Sequence, residues 1–364
     1  MSPSEPNRPH DVAVFIGRFQ PWHNGHLMLL QQALASAELA VVVVGSAGQA
    51  RTPKNPFSWQ ERAQMVLLSL PEADRSRVRF LPIRDYYDEA RWVAAVRRGV
   101  AALLAKEPAG ASVPAGAPPQ SVALFGHFKD ATSHYLRDFP GWHLVSVERN
   151  SPIDATALRN AYFGQLGCDM EACLAALVEQ APPTTRDFLR AWSALPAYPL
   201  LCAEWAMLQA YRKAWQAAPY PPVFVTVDTI VRCAGQVLLI RRGQAPGKGL
   251  YAVPGGFLEQ RETVYQSALR ELHEETGLHL LDSSMRDCLK DVCVFDHPDR
   301  SQRGRTITHA HYFDLGNRRP PEVLAADDAA LAEWVAIDQL PRLEAEFFDD
   351  HFHMLDHFLG LTDD

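Results

Sequence analysis

Two histidines near the start of the chain have the spacing of a phosphate-binding turn. His23 and His26 flank Gly25 in the stretch GRFQPWHNGH, which joins an apolar run ending at Gly17 to a helix-like segment. At such a position the N-terminus of a helix presents unpaired N–H groups and a positive dipole end to a ligand. Imidazoles there bind phosphate oxygens and stabilise developing charge, and Arg18 adds a guanidinium fork suited to phosphate. The pattern predicts a phosphate site in this turn.

A second set of candidate residues is acidic. Glu271, Glu274 and Glu275 are spaced i, i+3 and i+4, so a helix places all three on one face. Neighbouring carboxylates repel one another unless hard cations neutralise them, and Mg²⁺ or Mn²⁺ prefers such oxygen ligands. Gly256 before the acidic run and Gly277 after it indicate a loop–helix–loop rather than an ordinary solvated helix face. We therefore predict a divalent-metal site that activates water and neutralises a diphosphate.

Two sequence patterns indicate the elements that position these residues. In the first half, short apolar runs alternate with helical periodicities, which predicts an α/β fold with a parallel sheet covered on both faces. From Val223 onwards, a predicted hairpin around Ala234-Gly235, further strand-like runs and a helix over 262–276 indicate a mixed sheet with helices. The segment between the two halves is rich in Ala, Leu and Trp, and we interpret it as a helical connector.

Composition excludes several classes of protein. The chain has 364 residues and a formal net charge of −8, which argues against a general nucleic-acid binder. Its longest aliphatic run, Leu39–Val44, is far shorter than the ~20 residues that span a bilayer, and residues 1–10 lack the apolar region of a secretory signal. Six cysteines without a CxxC pair do not indicate a disulfide scaffold. These features predict a cytoplasmic protein whose partners include neither nucleic acid nor membrane.

Three further stretches extend the histidine turn into a family resemblance. GQARTPKNPFSWQER, GHFKD and SPIDATALR follow GRFQPWHNGH along the chain. Together they resemble the (H/T)xGH signature, the segment after the second strand, the GxxKD-like strand-end motif and the ISxTxxR signature of nucleotidylyltransferases, specifically of archaeal-type NMN adenylyltransferases. Thr156 and Arg159 occupy the matching places of the last motif, whereas Asp154 stands where that family usually carries Ser.

This resemblance implies a Rossmann-like domain that transfers the adenylyl group of ATP to NMN, giving NAD and pyrophosphate. The NMN phosphate would attack the α-phosphorus of ATP in line, without a covalent enzyme intermediate. The residues implied for ATP and its phosphates, with the two histidines as the catalytic groups, are Gly17, Arg18, Phe19, His23, Gly25, His26, Gly126, Thr156 and Arg159. The residues implied for NMN are Asp85, Trp92, Lys129 and Asp130. Transfer to another phosphate, such as that of pantetheine or flavin, stays open, and Trp92 equally suits a helix packed in the core.

The acidic helix lies within a longer motif. The stretch GFLEQRETVYQSALRELHEETGL fills every fixed position of the Nudix pattern, and this resemblance implies an α/β/α domain with a mixed sheet. Nudix hydrolases split nucleoside diphosphates linked to another group, and the chain resembles the ADP-ribose pyrophosphatase branch. The implied metal ligands are Gly256, Glu271, Glu274 and Glu275, with Glu271 and Glu274 also as catalytic groups and Glu262, Arg270 and Gly277 as supporting residues. The general base stays open between Glu271 and a carboxylate outside the motif. NADH or a dinucleoside polyphosphate as substrate, and a ligand-sensing regulatory role, are the alternatives.

Taken together, the two resemblances imply a bifunctional enzyme of NAD metabolism. The predicted segments are a nucleotidylyltransferase domain over 11–165, a helical connector over 166–221, a Nudix domain over 222–345 and a C-terminal helix over 346–364. Mg²⁺ is the expected cofactor, with Mn²⁺ as a substitute. The expected small-molecule partners are ATP, NMN, NAD and ADP-ribose, and a homo-oligomer is compatible with the sequence.

Overall fold

The chain folds into two compact units, Met1–Cys202 and Ala203–Asp364. The computed structural model describes residues 8–106, 121–126, 137–147, 153–164 and 169–362. The division between the units falls within the segment 166–221, for which we predict a helical connector.

The first unit is built on a parallel sheet. Its strands are β1 His10–Gly17, β2 Ala37–Val44, β3 Val78–Pro82, β4 Val122–Gly126 and β5 His143–Ser146. Neighbours run in the same direction, in the order β3-β2-β1-β4-β5. The accompanying helices are α1 Asn24–Ser36, α2 Trp59–Ser69, α3 Glu72–Arg75, α4 Glu89–Leu104, α5 Ala155–Phe163, α6 Met170–Ala175 and α7 Pro183–Trp192. The predicted α/β class of this half is confirmed.

Apolar runs form the buried strands because the sheet is covered on both faces. Residues 41–44 of β2 are all completely buried. On one face, Val93, Val96 and Val100 of α4 recur at helical spacing and pack against the sheet. On the other face, Ala33 of α1 packs against the small side chains of β1 and β4. The strands are therefore fixed by burial on both sides rather than by alternation of polar and apolar residues.

The strand order creates a reversal beside β1. The chain passes from β1 to β2 and β3 on one side, and β4 and β5 then extend the sheet on the other side. Gly17 and Gly126 end the adjacent strands β1 and β4. Open α/β sheets bind ligands at the carboxyl ends of the strands, where the order reverses. The turn that carries the two histidines follows β1 and lies at this edge.

The second unit is built on a mixed sheet. Its strands are β6 Val223–Cys233, β7 Gln236–Arg242, β8 Tyr251–Ala252, β9 Gly255–Phe257, β10 Leu289–Phe295, β11 Arg305–Asp314 and β12 Ala329–Ala336. The main order is β10-β11-β6-β7-β12, with β8 beside β7 and β9 beside β6. Strand β6 runs parallel to β11, whereas the other pairs are antiparallel. The mixed sheet predicted for this half is confirmed.

Helices cover both faces of the mixed sheet. They are α9 Val264–Thr276, α10 Asp282–Cys288 and α11 His351–Leu359, and a further helix, α8 Ala197–Ala214, spans the division between the units. Val231 of β6 packs with Leu272 of α9, whereas its neighbour Ile230 packs with Leu355 of α11. Successive strand residues point to opposite faces, so the sheet lies between α9 and α11 in an α/β/α arrangement.

Local turn and cap chemistry sets the ends of two elements. Ala234 and Gly235 both have positive φ, 48° and 76°, which suits the tight turn of the predicted hairpin between β6 and β7. The prediction that the long helix of this unit starts at residue 262 is wrong by two residues. Thr263 and Gln266 form a capping box, so α9 begins at Val264. Across the described residues, none of the helices combines the length and apolarity needed to cross a membrane.

Candidate functional site

The turn after β1 is built around a glycine and a phenylalanine in an uncommon conformation. A Cβ at Gly17 would lie 2.5 Å from Cε1 of Phe19, so this position requires glycine. Phe19 has a φ of 52°, a left-handed backbone that is unfavourable for a bulky residue. Its buried ring meets the ring of His26 edge-on at 5.0 Å. The tertiary packing therefore holds a turn that local preference alone disfavours.

His23 and His26 lie together at the N-terminus of α1. Their rings stack with centroids 3.5 Å apart and an interplanar angle of 20°. Nδ1 of His23 accepts a hydrogen bond from the backbone N–H of His26 at 3.4 Å and caps the helix. A Cβ at Gly25 would lie 3.1 Å from Cε1 of His23, so glycine leaves room for the imidazole. The structure brings the predicted histidine pair together at a helix N-terminus.

Arg159 connects α5 to the same turn. Its Nη1 donates to the carbonyl oxygen of Gln20 at 2.6 Å, and its Nη2 donates to Oγ1 of Thr156 at 3.2 Å. Burial, with a smaller contribution from the nearby charge of Arg18, lowers the pKa of Arg159 to about 10. Two guanidinium groups that repel each other favour an anion between or beside them. Arg18 thus lies near Thr156 and Arg159, which are far from it in the sequence, at one edge of the sheet.

Asp154, which stands where the resembling family carries Ser, is the N-cap of α5. Its Oδ1 accepts a hydrogen bond from the backbone N–H of Thr156 at 3.1 Å. Asp and Ser are about equally favourable at this position. The Asp154 charge also raises the pKa of Arg159, against the effects of burial and Arg18. The departure from the family pattern therefore keeps the helix cap and adds a carboxylate beside the guanidinium group.

Asp85, predicted for NMN, follows β3 at the same edge of the sheet. Its carboxylate accepts hydrogen bonds from Oγ of Ser46 at 3.0 Å and from Nε2 of Gln49 at 2.8 Å. Gln49 in turn accepts a hydrogen bond from the side chain of Asn55. This network ties Asp85 to the segment that follows β2.

For the other residues predicted to bind NMN, the structure gives less support. Trp92 of α4 is half-buried against the core of the sheet, and its ring meets that of Phe139 edge-on at 5.9 Å. Gly126, predicted for ATP, is buried at the end of β4. Lys129 and Asp130 lie outside the described residues. The contacts of Trp92 are those of a packing residue, and a role for it in binding stays a prediction.

The acidic residues of the second unit meet a glycine backbone. A Cβ at Gly256 would lie 2.4 Å from Oε1 of Glu271, so the glycine allows the carboxylate to approach the chain. Glu275 is buried, and its Oε2 accepts a hydrogen bond from the backbone N–H of Gly255 at 2.9 Å. Burial, with a smaller contribution from the charge of Glu271, raises the pKa of Glu275 to about 8. The loop before α9 and the acidic face of α9 therefore form one site.

Arg270 binds three of the predicted carboxylates. Its Nη1 donates to Oε1 of Glu271 and to Oε2 of Glu274, both at 2.8 Å. Its Nε donates to Oε2 of Glu262 at 3.0 Å. Oγ of Ser267 donates to the same oxygen of Glu262 at 2.6 Å. Arg270 thus holds the acidic cluster together and neutralises part of its charge.

The donor set fits a divalent cation. In the part of the chain that the structure describes, no three His, Cys, Asp or Glu side chains converge on one point that could hold a metal ion. Arg270 engages Glu271 and Glu274 in this arrangement. The donors are nevertheless hard oxygens, as Mg²⁺ and Mn²⁺ require, and the carboxylate of Glu271 lies close to the Gly256 backbone. Burial raises the pKa of Glu275 because it disfavours the charged carboxylate, and a bound cation would stabilise that charged form.

The boundary at the end of α9 also agrees with the predicted loop–helix–loop. Gly277 has a φ of 62° and caps the C-terminus of α9, with its N–H bonded to the carbonyl oxygen of His273. Left-handed glycine is a common helix stop. Glu271, Glu274 and Glu275 are consequently held on the last turns of a helix with a defined end.

Two groups near these sites are not among the predicted site residues. Arg62 of α2 is 1% exposed and donates hydrogen bonds to carbonyl oxygens at the edge of the first sheet. In the second unit, a cavity of about 40 Å³ lies beside Gly256, and Arg300 on its wall pairs with buried Asp350 through two 2.8 Å hydrogen bonds. Arg62 is the last residue of the stretch GQARTPKNPFSWQER, but its residue type alone does not predict that its partners are backbone carbonyl oxygens.

Comparisons with known proteins agree with both units. A cytidylyltransferase-like family model matches residues 14–100, and a NUDIX domain model matches residues 222–358. A nicotinamide/nicotinic acid mononucleotide adenylyltransferase of Acinetobacter baylyi is 38% identical over 42% of this chain and 76% of its own length. An ADP-ribose pyrophosphatase of Methanocaldococcus jannaschii is 39% identical over 33% of this chain and 65% of its own length.

A solved structure matches nearly the full length of the chain. It is a bifunctional NMN adenylyltransferase/ADP ribose pyrophosphatase of Francisella tularensis, complexed with AMP and a Mn ion. The match has a TM-score of 0.85 and 33% sequence identity, and it covers 96% of this chain and 99% of that one. Because nearly the full length of both chains aligns at this identity, the chain belongs to the family of bifunctional NMN adenylyltransferase/ADP-ribose pyrophosphatases.

Proposed function

We propose that the first unit makes NAD and pyrophosphate from NMN and ATP, and that the second unit hydrolyses ADP-ribose to AMP and ribose 5-phosphate. The observation that carries this proposal is the full-length similarity to a bifunctional relative, joined to two separate sites with the required chemistry. The first site offers cationic and imidazole groups at helix N-termini, and the second offers clustered carboxylates.

In the first unit, catalysis rests on positioning and charge stabilisation. The phosphate of NMN attacks the α-phosphorus of ATP in line, the bond to the β-phosphate oxygen breaks, and pyrophosphate leaves. His23 and His26 donate hydrogen bonds to ATP phosphates from the N-terminus of α1, where the helix dipole also favours an anion. Arg18 and Arg159 neutralise the charge that develops on the leaving pyrophosphate. Thr156 holds the guanidinium group of Arg159 through its hydroxyl oxygen.

In the proposed reaction, the acceptor NMN binds on the side of the first unit where β3 lies. Asp85 receives its hydrogen bonds from Ser46 and Gln49, which fixes the carboxylate for contact with a polar part of NMN. Trp92 offers a ring face for the nicotinamide, and Lys129 and Asp130 complete the acceptor site as the family resemblance implies. Binding of NMN rather than another phosphate depends on these residues, because the histidines serve any acceptor equally.

In the second unit, Gly256, Glu271, Glu274 and Glu275 hold divalent cations, of which Mg²⁺ is the proposed physiological one. A cation bound by these residues would activate water and neutralise the diphosphate of the substrate. Arg270 orients Glu271, Glu274 and Glu262. Glu271 and Glu274 would help to hold a cation there and would orient the water that attacks the diphosphate. Gly256 is needed because a side chain there would displace the Glu271 carboxylate.

A product analysis tests both halves of the proposal. The purified protein is incubated with Mg²⁺ and either NMN plus ATP or ADP-ribose alone, and the products are resolved by chromatography. We expect NAD in the first reaction, and AMP with ribose 5-phosphate in the second. NAD without cleavage of ADP-ribose would contradict the proposed substrate of the second unit and lead to a panel of other diphosphates. Cleavage without NAD would contradict NMN as the acceptor.

A further inference from the structure

Arg62 is a buried cation held by carbonyl oxygens. Its Nη1 donates to the carbonyl oxygens of Arg18 at 2.7 Å and Gly45 at 2.6 Å. Its Nη2 donates to that of Ser46 at 3.3 Å, and its Nε to that of Ser58 at 3.2 Å. Within the described part of the chain, all of its hydrogen bonds go to backbone carbonyls. One guanidinium group therefore joins the ends of β1 and β2 to the start of α2.

Two of these carbonyls border residues in left-handed backbone. Ser46 itself has a φ of 51°, and the Arg18 carbonyl belongs to the peptide bond that precedes Phe19, whose φ is 52°. Such conformations persist in non-glycine residues only where surrounding contacts hold them, and they cluster at functional sites. Arg62 contacts both of the strained segments at the edge of the first sheet.

The charge of Arg62 is only partly balanced. No carboxylate lies within ion-pair distance of it among the described residues, although Asp85 and Glu61 are near enough to raise its pKa. Burial has the largest effect and, with a smaller contribution from the charge of Arg18, lowers that pKa to about 10. A buried cation without a direct counter-ion is unfavourable in the free protein. An anion bound at the turn after β1 would restore the balance.

Arg62 also reaches the predicted acceptor side through Ser46. The carbonyl oxygen of Ser46 accepts from Arg62, and its hydroxyl donates to Asp85 at 3.0 Å. Gly45, the next carbonyl partner, donates its N–H to the carbonyl oxygen of Gly17 at 3.0 Å. The Arg62 side chain thus lies between the proposed phosphate turn and the proposed NMN residue.

We propose that Arg62 is a positioning residue for adenylyl transfer, which locks the ends of β1 and β2 in the geometry that aligns ATP with its acceptor. This inference rests on the proposed function of the first unit. It requires the planar fork of arginine, because three nitrogens of one guanidinium group serve four carbonyl oxygens in different directions.

Three variants test this role. In Arg62→Ala, kcat/KM for ATP is expected to fall by about 10²-fold, since misplacement of reacting groups by about 1 Å has effects of that size. Arg62→Lys keeps the charge but lacks the fork, so it is expected to show a comparable loss in kcat and a smaller rise in KM for ATP. Arg98→Ala, which removes an exposed arginine of α4, is the matched control and is expected to keep both constants.

Chemical rescue separates positioning from simple loss of stability. Guanidinium chloride at a low, non-denaturing concentration is expected to restore part of the kcat of Arg62→Ala and none of that of Arg62→Lys. Thermal unfolding of each variant is recorded in parallel, and ADP-ribose hydrolysis by the same chain reports the amount of intact second unit. If Arg62→Ala does not fold, the changes in kcat and in KM for ATP of Arg62→Lys test the role of Arg62.

Two results would overturn the inference. One is that both Arg62 variants keep kcat and KM for ATP within twofold of the unmodified protein. The other is a loss that follows the fall in thermal stability and does not respond to guanidinium. Failure of the proposed function is seen separately, because the unmodified protein would then form no NAD. Calorimetric titration with ATP still compares the variants in that case, and unchanged ATP affinity would reject the role of Arg62.

Discussion

The chemistry of each unit depends on a few side chains whose orientations are fixed by contacts with their neighbours. The imidazoles of His23 and His26 are stacked at a helix N-terminus, with His23 turned toward the backbone of α1. Glu271 and Glu274 share the Nη1 atom of Arg270. Such preorganised groups act on developing charge without rearrangement during the reaction. Single substitutions at these positions should therefore affect one reaction and leave the other intact.

The first prediction concerns this separation of activities. His26→Ala should lower NAD synthesis by at least about 10²-fold, because it removes a charge-stabilising donor, and should leave ADP-ribose hydrolysis unchanged. Glu274→Gln should do the reverse, because an amide binds a divalent cation more weakly than a carboxylate. Both reactions are measured on each variant by product chromatography.

Glu259→Gln is the control for the acidic variant, since Glu259 is exposed and lies outside the carboxylate cluster held by Arg270. It should keep both activities. A folded protein that loses both activities through either His26→Ala or Glu274→Gln would contradict the assignment of two independent sites.

A second prediction tests the glycine at the end of β1. Gly17→Ala should reduce NAD synthesis strongly and lower the melting temperature, because the new Cβ would lie 2.5 Å from the Phe19 ring. The ring is buried and cannot move without disturbing the histidine turn. Gly45→Ala is the matched control: its Cβ would meet its nearest neighbours at 3.8 Å, an ordinary contact. Equal behaviour of the two variants in melting and kinetics would show that the Phe19 contact has no importance.

At the scale of elements, helix N-termini deliver the polar groups of the first site. Helix α1 begins at Asn24, directly after its N-cap His23, and α5 begins at Ala155, directly after its N-cap Asp154. Each cap also brings a functional neighbour to the edge of the sheet: His26 in one case and Arg159 in the other. Each cap therefore stabilises the start of its helix and also positions a residue of the site.

The third prediction concerns the cap of α5. Asp154→Ser should preserve stability and NAD synthesis, because Ser and Asp are about equally good caps. Asp154→Ala should destabilise the unit by about 1 kcal/mol through loss of the Thr156 hydrogen bond. Chemical unfolding gives the stability, and initial rates of NAD formation give the activity.

Loss of activity in Asp154→Ser would reveal a role for the carboxylate beyond capping, such as its effect on Arg159. If Asp154→Ala unfolded at the same denaturant concentration as the unmodified protein, the hydrogen bond to Thr156 would not contribute to stability.

At the scale of the whole molecule, each unit has its own sheet and its own hydrophobic clusters. In the second unit, these clusters lie on both faces of the mixed sheet and do not include the acidic residues. Arg270 provides positive charge to Glu262, Glu271 and Glu274 within the fold. Burial of apolar side chains thus stabilises the fold of the second unit, and we expect that fold not to depend on metal binding at the acidic site.

The fourth prediction follows from this separation. Removal of divalent cations with EDTA should abolish ADP-ribose hydrolysis, and addition of Mg²⁺ or Mn²⁺ should restore it. The melting temperature of the second unit should change little, unlike that of a small domain whose fold depends on its metal. Calorimetry with and without EDTA measures this. Unfolding on chelation, or full hydrolysis in its presence, would contradict the prediction.

The sequence by itself determined the order of elements and the two chemical motifs. Apolar runs and helical spacing are local properties, so the longer strands of both sheets and α1, α5 and α9 were predictable within a few residues. The Nudix pattern also contains its own geometry, because Glu271, Glu274 and Glu275 share a helix face by spacing alone. Short elements such as β8, β9 and α10 were not predicted, since their periodicity is too brief to distinguish them from loops.

Only the tertiary structure decided which distant groups meet. Arg159 donates to the carbonyl oxygen of Gln20 across 139 positions in the chain, and that contact depends on the strand order that places β4 beside β1. The partners of Arg62 are backbone carbonyls, which every residue carries and no residue type announces. Left-handed conformations at Phe19 and Ser46 arise from the same long-range packing. Local patterns thus name the chemical groups, whereas the topology of the sheet determines which of them act together.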